Sequence, residues 1–232
     1  LEALVAQTRK PISARLALKR SENIRVIAEI KRASPSKGDL NLSFDAAQLA
    51  GEYEAAGASA ISVLTEQRGF KGSLEDLAKV RTHTSVPLLR KDFISTEYQL
   101  LEARAFGADF ALLIVAGLTQ KKLEELMHFA SEIELEALVE THSEEEVRVA
   151  AGLGASLIGV NARDLSTFET DSNLFARVAE LIPDSAVRIA ESAVRNASDV
   201  RRYRQAGADA VLVGEALVTG DPKSLIRDFL AV

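Results

Sequence analysis

Four segments of the chain are near copies of one another: GASAISV from Gly57, GADFALL from Gly107, GASLIGV from Gly154 and GADAVLV from Gly207. Each places a glycine where a helix ends and follows it with an apolar run of strand length. The starts lie 50, 47 and 53 residues apart, so the repeating unit is two strand-helix pairs. Between these runs lie VIAEIK, VPLLRK, LEALVE and VRIAES, which are equally apolar but carry a charge at or near the C-terminal end. Eight strands alternating with helices predict an α/β fold, a (β/α)8 TIM barrel whose active site forms at the strand C-termini.

The even spacing leaves no room for a linker, so residues 1–232 read as one domain, with residues 1–24 a short helical N-terminal extension before the first strand. That extension reads equally as a plug under the barrel or as a contributor to the site. The chain starts at Leu1 rather than methionine, as a processed, truncated or renumbered chain would. The strands are expected at 26–30, 60–64, 86–89, 110–114, 135–139, 157–160, 187–190 and 210–213. Helical periodicity with cap residues places helices at 45–56, capped by Ser43 or Asp45, at 119–130, and at 142–151, where three successive glutamates suit a helix N-terminus.

A net charge of −6, with acidic and basic residues spread along the chain, argues against nucleic acid as a partner. The chain has no cysteine, which excludes a disulfide framework and thiol catalysis and suits a reducing compartment. No apolar run approaches the roughly 20 residues of a membrane helix, and no signal peptide is evident. The expectation is a cytoplasmic monomer with no membrane partner. The three histidines, His83, His128 and His142, stand at no ligand spacing and read as surface residues, so no metal is expected. No Gly-rich dinucleotide or Walker loop is present, and the chemistry is expected to need no cofactor.

In a strand, residues two apart share a face, so Glu29 and Lys31 project together from the end of the first run. A buried strand ending in charges needs a partner or a function for them. The same pattern returns at Lys91, Glu140 and Glu191, each ending an odd strand. Closure of the barrel gathers these five into a ring, joined by Asn161 and Arg163 after the sixth strand. Lysines beside carboxylates support general acid-base chemistry, and a lysine there is equally placed to form a Schiff base. A phosphate is expected at the loops after strands seven and eight, at Ala193 and at the amides of Gly214 and Glu215. Ser34, in the loop ASPSKG, adds a hydroxyl, and Lys37 or Arg163 adds charge.

Taken together, AEIKRASPSKG, SVLTEQRGFKGS, LLRKDFI, ALVETH, GVNARDL, AESAV and VLVGEAL resemble the indole-3-glycerol phosphate synthase family, in family order from about Ile24 to the end. Other phosphate-binding barrels share the eightfold pattern without the pairing of EIKR with RKDF. The resemblance implies a lyase of tryptophan biosynthesis. It closes the pyrrole ring of the small phosphorylated substrate 1-(2-carboxyphenylamino)-1-deoxyribulose 5-phosphate, with loss of CO2 and water and without a cofactor. It implies Lys91 as general acid at the ribulose carbonyl, Lys31 on the anthranilate carboxylate, and Glu140 as acid/base opposite Lys91, with Glu29 shaping the ring. It further implies substrate contacts from Asn161, Arg163, Glu191 and Ser192, and an apolar pocket walled by Phe70, Phe93, Ile114 and Leu165.

Two departures stand out against the family. Ala193 occupies a position where the family has glycine beside the phosphate, which raises the expectation of crowding or of an altered backbone. The N-terminal extension is also shorter than the family's. A barrel that binds the phosphorylated ligand without turning it over is the alternative these departures leave open.

Overall fold

The computed structural model describes residues 1–232. Eight parallel strands close into a barrel: β1 (Arg25–Ile30), β2 (Ala60–Leu64), β3 (Leu88–Lys91), β4 (Phe110–Ile114), β5 (Glu136–Thr141), β6 (Leu157–Asn161), β7 (Val187–Glu191) and β8 (Ala210–Val213). Each pairs with its neighbours in sequence, and β8 closes on β1. The four repeat glycines sit in the left-handed region, with φ of +104°, +94°, +76° and +96° in chain order, where a Cβ is unfavourable. They end helices and return the chain to the next strand.

The interior follows from strand alternation. Ile27, Leu89, Phe110, Leu112, Leu138, Leu157, Ile189 and Leu212 belong to one buried cluster of 14 residues. A second cluster of 46 fills the layer between strands and helices. Ala14 and Leu18, on the short helix Ala14–Leu18, belong to the interior cluster and are fully buried. The extension therefore closes the bottom of the barrel. Arg9 reinforces it, donating at 2.6 Å to the buried Asp109 carboxylate, which Arg81 also holds at 2.9 Å. No helix is long and apolar enough to cross a membrane.

Several boundaries differ from the sequence expectation. β3 begins at Leu88 rather than Val86 and runs through Lys91, because Pro87 has no N–H to offer the ladder. β5 is displaced forward to end at Thr141, and β6 and β7 extend to Asn161 and Glu191. Lys91, Glu140 and Glu191 thus lie within the ladder, not beyond it, while Lys31 follows the end of β1. Asp45, not Ser43, caps the helix Ala46–Ala56, accepting from the Gln48 amide at 2.9 Å. The helix expected from His142 starts at Glu144, with Ser143 as its cap, which leaves His142 outside it.

Candidate active site

Steps of two up each strand lead from the interior to the barrel mouth: Ile27 to Glu29, Leu89 to Lys91, Leu138 to Glu140, Leu157 to Gly159 and Asn161, Ile189 to Glu191. The register sets them against one another, with Glu140 opposite Gly159 and Asn161 opposite Glu191. A Cβ on Gly159 would stand 2.0 Å from Glu191 Oε1. The glycine is what admits the Glu191 carboxylate to the barrel axis.

At the centre, the Lys91 ammonium donates to Glu140 Oε2 and to Glu191 Oε2, both at 2.7 Å. Lys31 pairs separately with Glu29 at 2.9 Å, and Ser62 donates to the other Glu29 oxygen at 3.3 Å. Burial opposes the Lys91 charge, but Glu140, Glu191 and Glu29 outweigh it and hold the ammonium well above the ordinary lysine range. Burial also pushes Glu140 up, yet Lys91 and then His142 overcome it and hold that carboxyl well below the usual range. Glu191 goes the other way. Burial raises it, and the nearby Glu140 charge adds to the rise against the pull of Lys91. One ammonium between two buried carboxylates neutralises one of them, and the other takes up a proton more readily.

Glu29, Lys31, Ser34, Phe70, Lys91, Phe93, Ile114, Glu140, Asn161, Arg163, Leu165, Glu191, Ser192 and Glu215 line one cleft at the barrel mouth. Ala193 and Gly214 line an adjoining cleft that shares Glu29, Lys31, Arg163, Ser192 and Glu215 with it and adds Lys37 and Arg195. Ser34 lines the first cleft, together with Ser192 and Glu215 from the loops after β7 and β8. Ser192 donates to Asn161 Oδ1 at 2.7 Å, and the same oxygen accepts the Arg163 amide at 3.0 Å. Ser192 and Ala193 are both left-handed, with φ of +67° and +55°. The amides of Ser192, Ala193, Val194 and Gly214 donate to no protein acceptor, and they border the adjoining cleft, Ser192 bordering both.

The apolar wall rests on loop chemistry. The Glu66 carboxylate accepts from the amides of Arg68, Gly69 and Phe70 at 2.7–3.0 Å, which fixes the loop and sets Phe70 against Phe93, with ring centroids 6.5 Å apart. Two residues escaped the sequence reading. Phe168 lines the cleft from the loop after β6, but a single aromatic in a polar loop carries no periodic signal. His142, expected at the surface, is instead mostly covered, its side chain 9% exposed and its Nε2 3.3 Å from Glu140 Oε1. Strand parity from Leu138 through Glu140 points to it. The acidic helix start that follows masked that signal.

A model of the indole-3-glycerol phosphate synthase family matches residues 1–229. The chain belongs to the indole-3-glycerol phosphate synthase family. The indole-3-glycerol phosphate synthase of Leifsonia xyli subsp. xyli is 55% identical over 232 residues, which is all of this chain and 89% of that one. The family member from Streptomyces griseus is 56% identical over 217 residues, covering 93% of this chain and 81% of its own. Among solved structures, a thiamine phosphate pyrophosphorylase from Pyrococcus furiosus superposes with a TM-score of 0.69 at 17% identity, covering 94% of this chain and 96% of that one. The N-acetylmannosamine-6-phosphate 2-epimerase from Clostridium perfringens gives 0.67 at 15%, with coverage of 96% and 97%. At those identities the two structures attest the barrel, while the family rests on the sequence matches.

Proposed function

We propose that this chain carries out the family's reaction, closing the indole ring of 1-(2-carboxyphenylamino)-1-deoxyribulose 5-phosphate to indole-3-glycerol phosphate with release of one CO2 and one water. The observation that carries the reading is the Lys91 ammonium held at 2.7 Å from both Glu140 and Glu191, at the barrel mouth of a chain with this family membership.

In this assignment Lys91 protonates the ribulose carbonyl oxygen as the aromatic ring carbon attacks the carbonyl carbon. The C–C bond forms, the carboxylate leaves as CO2, and its bonding electrons restore the aromatic ring. The new hydroxyl takes a proton from Lys31 and departs as water, and loss of the proton on the carbon beside the ring nitrogen to Glu140 completes the pyrrole. Lys31 holds the substrate carboxylate until it leaves, and Glu29 keeps Lys31 in place. Fixed charges in a water-poor cleft act on developing charge without reorganising. Glu191 Oε1 is buried and has no protein partner, so it suits a ribulose hydroxyl, with Asn161 and Ser192 beside it. The phosphate goes to the unpartnered amides of Ser192, Ala193, Val194 and Gly214, with Arg163 and Lys37 near. Phe70, Phe93, Ile114, Leu165 and Phe168 enclose the aromatic ring. The enzyme is taken to act as a cytoplasmic monomer.

The test is indole fluorescence on mixing with substrate. Saturable product formation is expected, and Lys91→Met, shown by circular dichroism to be folded, is expected to lose about 10²-fold or more in kcat. Parent-like turnover by that variant would remove Lys91 from the mechanism. Binding without product would favour an impaired barrel.

A further inference from the structure

His142 lies one residue beyond β5, two residues after Glu140 on the same strand face. Its backbone amide donates to Glu146 Oε2 at 2.8 Å, which draws the residue in toward the start of the helix Glu144–Gly152. The ring then stands between two carboxylates. Nε2 is 3.3 Å from Glu140 Oε1 and Nδ1 is 3.5 Å from Glu146 Oε2. Neither nitrogen has an aligned hydrogen bond, and both are buried. The contacts are those of an ion pair. The charged groups facing the ring are Glu140 and Glu146, and Lys91 faces the other oxygen of Glu140. His142 does not line the cleft.

Glu140 therefore has a counter-charge on each oxygen. Lys91 is one of them, and on the function proposed above it is the one that gives its proton away. Without a second cation, loss of that charge would leave the Glu140 carboxylate buried beside Glu191 with nothing to offset it. We propose that His142 is a positioning residue that holds Glu140 by its outer oxygen and supplies the counter-charge that stays when Lys91 donates its proton. This rests on the assignment of Lys91 and Glu140 to the ring closure. Burial disfavours the imidazolium, but Glu140 and Glu146 overcome it and raise His142 to about 9, so the ring is charged across neutral pH.

The pair is tested first without substrate, by following the three histidine Hε1 resonances against pH. His83 and His128 are exposed and are followed in the same samples as references. His142 is expected to titrate well above the ordinary imidazole value of about 6.5 and to fall back toward it in Glu140→Gln. Titration of His142 alongside the references overturns the inference, whatever the activity. The role is then read from His142→Gln, in which kcat is expected to fall about tenfold with KM within about twofold. Removing a cation raises the Glu140 pKa, so the acid limb of the kcat profile moves to higher pH by about one unit. Glu146→Gln keeps the ring, weakens its charge and is expected to shift the same limb by less, which serves if His142→Gln folds poorly. A parent-like kcat and acid limb in both variants overturns the role. A parent that forms no indole product sinks the functional reading instead, and the resonance titration still decides the pair.

Discussion

A residue with a Cβ at φ of +55° is strained by about 1 kcal/mol relative to glycine, and Ala193 is held there directly beside the amides assigned to phosphate. The backbone at position 193 is one that glycine would favour, so the alanine there brings strain and a methyl group beside those amides. Ala193→Gly is expected to lower KM by severalfold, to leave kcat within twofold, and to raise stability by about 0.5 kcal/mol once glycine's larger unfolded-state entropy is set against the relieved strain. Steady-state kinetics with urea melts checks all three, and an increased KM would mean that the methyl helps seat the phosphate. Lys31, Lys91, Glu140 and Glu191 were legible in the sequence because a charge ending an apolar strand is conspicuous. His142 was not, because a histidine before three glutamates looks like part of a helix start, and only the fold shows it turned inward against Glu140. The unpartnered state of Glu191 Oε1 and the room Gly159 makes for it depend on cross-strand register, which no local pattern reports.

Among the elements, the strands and their order were readable from the glycine repeat, since a left-handed helix end followed by an apolar run has few other uses. Their C-terminal limits were not, because charge was taken to mark the end of the ladder, whereas Lys91, Glu140 and Glu191 are themselves strand residues. The N-terminal extension was undecidable from sequence. Its place depends on Leu18 and Ala14 entering a barrel interior to which every strand contributes, most of it from residues distant in the chain such as Leu89 and Phe110. No residue before Glu29 lines either cleft. Leu18→Ala therefore creates a cavity at the closed end and is expected to lower stability by about 2–5 kcal/mol, with KM and kcat at 25 °C within twofold of the parent. Chemical denaturation and kinetics on the same preparation separate these effects, and a raised KM would tie the extension to the site.

The molecule divides its two tasks between the ends of one barrel. The closed end is apolar and cross-braced by Asp109 and its arginines; the open end gathers buried charge that packing alone would not favour. That arrangement implies a stability cost located at the mouth, and Glu191 is where it should be measurable. Its carboxyl is buried, shares one ammonium with Glu140, leaves Oε1 unpartnered, and is pushed up to about 8. Between the ordinary carboxylate value, about 4.3, and that higher one, the unfolded chain has released its proton while the folded site retains it. Folding is then coupled to proton uptake, and this group's contribution to stability declines as pH rises through that interval. Glu191→Gln removes the titration while keeping the volume. Relative to the parent, the variant is expected to gain stability steadily as pH rises from about 4.5 to about 8, with the difference level above that, and to lose most of its turnover. Urea melts across that range measure the difference between the two proteins, so titrations elsewhere cancel. A difference independent of pH would mean that Glu191 is ionised in the resting site and that Lys91 balances both carboxylates at once.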